Sequence, residues 1–132
     1  MKKLLATLLA FSLVLVVGMA VVHAADKPEG AKVLRHVVLF KFKADATPEQ
    51  VKSVEEAFAA MKGKLPLIQD FEWGTDVSTE NLQQGFTHCF FVTFKSEADR
   101  DAYLPHPVHK EFVKLAGTCL EKALVVDYWA RD

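Results

Sequence analysis

Three segments of the chain are apolar on both faces of an extended strand, and nothing else in the sequence restricts its fold so much. In residues 34–43, His36, Val38, Phe40 and Phe42 fall on one side while Val37 and Leu39 fall on the other. Residues 87–94 repeat the pattern, with His88, Phe90, Val92 and Phe94 opposed by Cys89, Phe91 and Thr93. In residues 123–129 Leu124, Val125 and Val126 follow one another, so this strand too is expected to be covered on both sides. Residues 71–77 differ. Phe71, Trp73, Thr75 and Val77 alternate with Glu72, Gly74 and Asp76, which gives one wet face and suits a sheet edge.

Helical patterns separate these strands. Thr47-Pro48-Glu49-Gln50 reads as a start: Thr47 caps, Pro48 fits the first turn, and Gln50 can reach back in a capping box. Val51, Val54, Phe58 and Met61 then recur at helical spacing until Gly63 and Pro66 end the helix. Ser96 can cap a short helix over residues 97–104. Pro105-His106-Pro107 breaks it, and a second piece carrying Val108, Phe112 and Leu115 runs to about Gly117.

The resulting order is β-α-β-β-α-β with the second helical element in two pieces. It predicts an α+β, ferredoxin-like fold: a four-stranded antiparallel sheet with helices on one face. One helical layer covers only one side of that sheet. Val37, Leu39, Cys89 and Phe91 would then form an open apolar patch of a kind monomers seldom carry, which predicts a homodimer joined through the sheet face, a dimeric α/β barrel.

Residues 1–24 read as an export signal. Lys2 and Lys3 precede an apolar run from Leu4 to Val17, and Val22-His23-Ala24 offers small residues for cleavage after Ala24, with Ala20 as an alternative. The other reading is an uncleaved membrane anchor. Residues 25–33, with Pro28 and Gly30 among charges, read as a flexible leader to a domain over residues 34–132. Removing 24 of 132 residues leaves 108, enough for one core. With Lys2 and Lys3 gone, 14 basic residues face 17 acidic ones, a balance of −3 with no basic cluster, so nucleic acid is not an expected partner. The expected location is periplasmic or secreted, with no membrane attachment after cleavage. There a disulfide can persist, and Cys89 and Cys119 either pair or serve as small buried hydrophobes.

The chemistry concentrates in Tyr103-Leu104-Pro105-His106-Pro107-Val108-His109. A phenol can polarise a carbonyl, and an imidazole with an ordinary pKa of ~6.5 can move protons near neutral pH. His36 and His88 each open a strand. Taking those two strands as parallel neighbours puts both histidines at one end of the sheet, beneath Tyr103 and His109. The expected pocket is lined by His36, His88, Phe40, Phe90, Val92 and Phe112. Bland alternatives exist for each group. His36 and His88 can be satisfied structural donors, His106 can simply bond its turn, and Tyr103 can be a core tyrosine. His106 and His109 lack a carboxylate third ligand, so no metal is expected.

Arg35-His36-Val37-Val38-Leu39-Phe40-Lys41-Phe42-Lys43, Trp73-Gly74-Thr75-Asp76-Val77, Gly85-Phe86-Thr87-His88 and the Tyr103–His109 segment together resemble the stress-responsive α/β-barrel (Dabb) domain family over most of residues 34–128. The resemblance implies a dimeric ferredoxin-like barrel. One branch, the plant olivetolic acid cyclase, closes a linear polyketide by intramolecular aldol condensation without a cofactor. By that resemblance His109 would be the general base and Tyr103 the group holding a substrate carbonyl, with His36 and His88 lining the pocket. Three functions follow as expectations. The first is an exported dimer that binds a small, largely apolar carbonyl or phenolic ligand in stress response. The second is a cofactor-free cyclase or lyase, and the third a structural dimer with a filled core and no ligand.

Overall fold

The computed structural model describes Gly30 and residues 33–131; the residues read as an export signal and most of those read as a leader lie outside the described residues. The element order is β1 (Leu34–Phe42), α1 (Pro48–Lys64), β2 (Asp70–Thr75), β3 (His88–Phe94), α2 (Glu97–Tyr103), α3 (Pro107–Gly117) and β4 (Leu120–Trp129). The sheet order is β2-β3-β1-β4 and every pairing is antiparallel. This is the expected ferredoxin-like arrangement.

Local chemistry accounts for the elements. The capping box at α1 forms as read: Gln50 N–H donates to Thr47 Oγ1 at 3.2 Å and Thr47 N–H to Gln50 Oε1 at 2.9 Å. Ser96 caps α2 by accepting from Asp99 N–H. After Pro105, His106 caps α3 in an extended conformation, its Nδ1 accepting from Val108 N–H, and Pro107 opens the helix where a missing N–H costs nothing. His106 is therefore a turn residue.

Val54, Phe58 and Met61 of α1 and Phe112 and Ala116 of α3 pack on the inner sheet face, against Val38, Phe40, Phe90, Val92 and Phe94. Phe58 sits 4.5 Å from Phe90 and 4.4 Å from Phe112 between ring centroids, so three elements meet at one aromatic stack. Cys119 belongs to this core while Cys89 lies on the opposite face of the sheet, and both thiols are free.

Two expectations need correction. The crossover through α1 leaves β1 and β2 pointing the same way, and the turn from β2 to β3 then reverses the chain. β1 and β3 are consequently antiparallel, with His36 opposite Val92 and Phe40 opposite His88. His36 and His88 stand four rungs apart, about 13 Å along the strands, at opposite ends of the sheet. The helix side of the last strand is also left partly open: β4 is an edge, and Val125 on that face is 52% exposed within one protomer.

Candidate functional site

The break between α2 and α3 builds the site. Tyr103 ends α2, His109 lies in the first turns of α3, and the Pro105–Pro107 corner folds one ring over the other with centroids 4.3 Å apart. Beneath them a cavity of about 370 Å³ opens between this corner and the inner faces of β1 and β4. Its walls include Val38, Phe40, Phe112, Ala116 and Val125, and its polar groups are His36, Tyr103, His109 and Asp127. An apolar chamber with a few polar groups at one side is the usual form of a small-molecule site.

Tyr103 is wholly buried, and its hydroxyl has no hydrogen-bond partner among the described residues. Burial raises its pKa well above the ordinary 10.0, so the phenol stays a neutral donor. A buried hydroxyl left unpaired costs stability, of order 1–3 kcal/mol, and such groups are rare enough in folded proteins to require an explanation. His109 Nδ1 lies 2.9 Å from the Leu104 carbonyl, which can only accept, so Nδ1 carries the proton and Nε2 keeps the lone pair. Burial lowers the His109 pKa, partly opposed by that carbonyl, and the nearby His36 lowers it further. The ring is therefore neutral at pH 7 with an acceptor nitrogen available.

His36 faces Tyr103 edge-on at 5.9 Å. Its Nδ1 lies 2.6 Å from Asp127 Oδ1, and the carboxylate in turn accepts from Arg100 Nη1 at 2.7 Å. Asp127 was not among the residues singled out from the sequence. The signal was present nonetheless: in Val125-Val126-Asp127-Tyr128 alternation places the acid on the same face as Val125, the helix side.

Of the expected site residues, Tyr103, His109, His36, Phe40 and Phe112 line one cavity. His88 does not join them, because the antiparallel register carries it to the far end of the sheet. There both its nitrogens are engaged, Nε2 with Glu55 Oε1 and Nδ1 with Thr87 Oγ1, each at 2.8 Å, while Trp73 stacks on the ring. It is a satisfied structural histidine. Phe90 and Val92 are completely buried in the core beside the cavity and form no part of its wall. Among the described residues no group of three or more His, Cys, Asp or Glu converges as a metal site requires.

Comparison with known proteins bears on this geometry. Residues 34–130 match the family described as the stress responsive A/B barrel domain. A stress-response A/B barrel domain-containing protein of Arabidopsis thaliana is 39% identical over 95 residues, spanning 72% of this chain and 87% of that protein. The olivetolic acid cyclase of Cannabis sativa is 32% identical over 98 residues, 74% of this chain and 97% of the cyclase. Among solved structures, the hydroxynitrile lyase of Passiflora edulis superposes with a TM-score of 0.72 at 27% identity, covering 77% of this chain and 96% of the lyase. A dimeric ferredoxin-like protein of unknown function from Jannaschia sp. CCS1 gives 0.63 at 26% identity, over 74% of this chain and 99% of that one.

Proposed function

The chain belongs to the stress-responsive A/B barrel domain family, and we propose that within it this protein is an exported homodimer whose cavity binds a small, largely apolar carbonyl or phenolic compound. One observation carries the reading: Tyr103, which lines an apolar cavity beside two imidazoles, has a buried hydroxyl that meets no hydrogen-bond partner among the described residues. A carbonyl or phenolic oxygen accepting from that hydroxyl would complete it, and a ligand O–H could be accepted by His109 Nε2. Among the described residues no lysine or arginine lines the cavity, and the Asp127 carboxylate there is engaged by Arg100 and His36, which favours a neutral ligand.

Dimerisation through the outer sheet face would bury Leu39 and Phe91 with Leu124, Val126 and Tyr128 around Val37, which is already buried in one protomer. The dimeric description of the Jannaschia relative supports it. Export rests on Lys2, Lys3 and the apolar run that follows, and N-terminal sequencing should find Ala25 first.

A second reading makes the site catalytic, favoured by the neutral His109 and by relatives named as a cyclase and a lyase. His109 Nε2 would remove a proton from carbon next to a carbonyl while the Tyr103 hydroxyl donates to the oxygen on which charge develops. The test is a panel of aryl ketones, phenols and poly-β-keto compounds, scored for affinity and for turnover. If His109→Ala and Tyr103→Phe abolish turnover but hardly change affinity, the enzyme reading holds. Binding without turnover, weakened by both substitutions, supports the binding module. No affinity across the panel would count against both.

A further inference from the structure

Arg100 lies outside the cavity, yet both histidines in the cavity are oriented through groups that this residue holds in place. Its Nη1 donates to Asp127 Oδ2 at 2.7 Å, while Asp127 Oδ1 sits 2.6 Å from His36 Nδ1. A carboxylate only accepts, so His36 carries a proton on Nδ1, and in the neutral ring the lone pair lies on Nε2. The guanidinium is held from behind as well, because Nε donates to Asp101 Oδ1 at 2.8 Å. Four side chains on three elements thus form one chain of contacts, Asp101 to Arg100 to Asp127 to His36, leading to the cavity wall.

The same residue docks the helix that bears the phenol. Arg100 lies three positions before Tyr103 on α2, so the two share a helix face, and the Arg100 carbonyl accepts the Leu104 N–H that closes the helix. The Leu104 carbonyl in turn fixes His109 Nδ1. A second tie runs beside the first: Trp129 Nε1 donates to Glu97 Oε1 at 3.1 Å, one turn earlier on α2 and two residues later on β4. Asp127 needs such a clamp because it stands on an edge strand, where Val125 and Val126 are half exposed and water competes for its carboxylate.

We propose that Arg100 is a positioning residue of the site. By holding Asp127 it fixes the His36 tautomer, and by anchoring α2 to β4 it sets where Tyr103 and the Leu104 carbonyl stand. This deepens the reading of the cavity as the functional site and rests on it. Because Arg100 does not line the cavity, its effect on a ligand is transmitted through Asp127 and α2. Lysine is a poor substitute, since one ammonium lacks the forked donors that meet Asp101 and Asp127 together.

The decisive experiment is long-range ¹⁵N–¹H NMR of the imidazoles, in the ligand-free full-length protein and its variants. In its neutral form the wild-type His36 ring should be protonated on Nδ1. Arg100→Met should populate the second tautomer, whereas Glu97→Gln, which loosens only the neighbouring tie, should not. Arg100→Lys should fall between, and it carries the test if the methionine variant does not fold. Affinity for an aryl ketone probe should fall about tenfold in Arg100→Met, the scale of one charge-assisted hydrogen bond. A His36 tautomer unchanged by Arg100→Met, or by Arg100→Lys if that variant has to stand in, would overturn the proposal. Absence of probe binding by the wild type would instead count against the functional reading, while the tautomer in the ligand-free protein still judges Arg100.

Discussion

Replacing Tyr103 by phenylalanine should make the ligand-free protein more stable. In most buried tyrosines the change removes a hydrogen bond and costs stability, but here the hydroxyl has no partner among the described residues to lose. The ring is otherwise packed on all sides, at 5.1 Å from Phe94 and 4.3 Å from His109 between centroids, and phenylalanine keeps those contacts. An unsatisfied buried hydroxyl costs about 1–3 kcal/mol. Allowing for the small void that the lost oxygen leaves, the gain should be about 1–2 kcal/mol. For a domain of this size each kcal/mol moves the melting temperature by roughly 4–8 °C. Urea unfolding is the cleaner assay, because an unchanged m-value would show that the native and unfolded ensembles kept their extent. The same variant should bind a carbonyl ligand less well, by about 1 kcal/mol, if the phenol is its donor. A protein stabilised by loss of a group that its ligand requires is the expected signature of a functional site. If Tyr103→Phe destabilises the ligand-free protein, the hydroxyl is satisfied there and the reasoning fails.

Further outcomes follow from the same geometry. Phe91→Glu places a carboxylate in the apolar outer sheet face and should shift sedimentation from dimer to monomer without unfolding the protein. His88→Ala should lower stability by about 2 kcal/mol or more, since it vacates a buried site and strips Glu55 of its partner, while ligand affinity stays within about twofold in titration calorimetry. The folded state holds the His109 pKa below 6.5, so on acidification the unfolded chain takes up its proton first. The stability this group contributes is complete above about pH 6.5 and declines as the pH drops toward its lower folded value. His109→Gln should flatten that part of the pH–stability curve.

Much of the fold was legible because it is written in local chemistry. The Thr47–Gln50 box, the Pro105–Pro107 break and the alternation through β2 depend on neighbours in sequence, and each element formed there, although β2 stops at Thr75 and leaves Val77 outside the strand, 90% exposed. The sheet face that unites His36 with Phe40 was legible for the same reason. Strand direction was a different matter, since it is set by the number of reversals between strands and not by any residue within them. A parallel pairing of the first and third strands therefore placed His88 beside His36, when a single rung-by-rung register separates them. The helix-side cover of β4 was illegible for a similar reason: Val125 is apolar in sequence, but how far the helices extend over an edge is a tertiary fact. Asp127 and Arg100 lie 27 positions apart and meet only when α2 docks on β4. Tyr103 and His109, six residues apart around a proline corner, needed no such long-range information.

Native mass spectrometry of the protein purified from its own host addresses the central claim most directly. If the cavity is a ligand site, the wild type should carry a small neutral compound at up to one per protomer, released on denaturation. Ala123→Trp, which fills the cavity from the exposed strand β4, should return the mass of the bare polypeptide while remaining folded. A wild type that shows only the polypeptide mass and takes up no carbonyl or phenolic compound added to it, or an adduct that survives Ala123→Trp unchanged, would contradict the account.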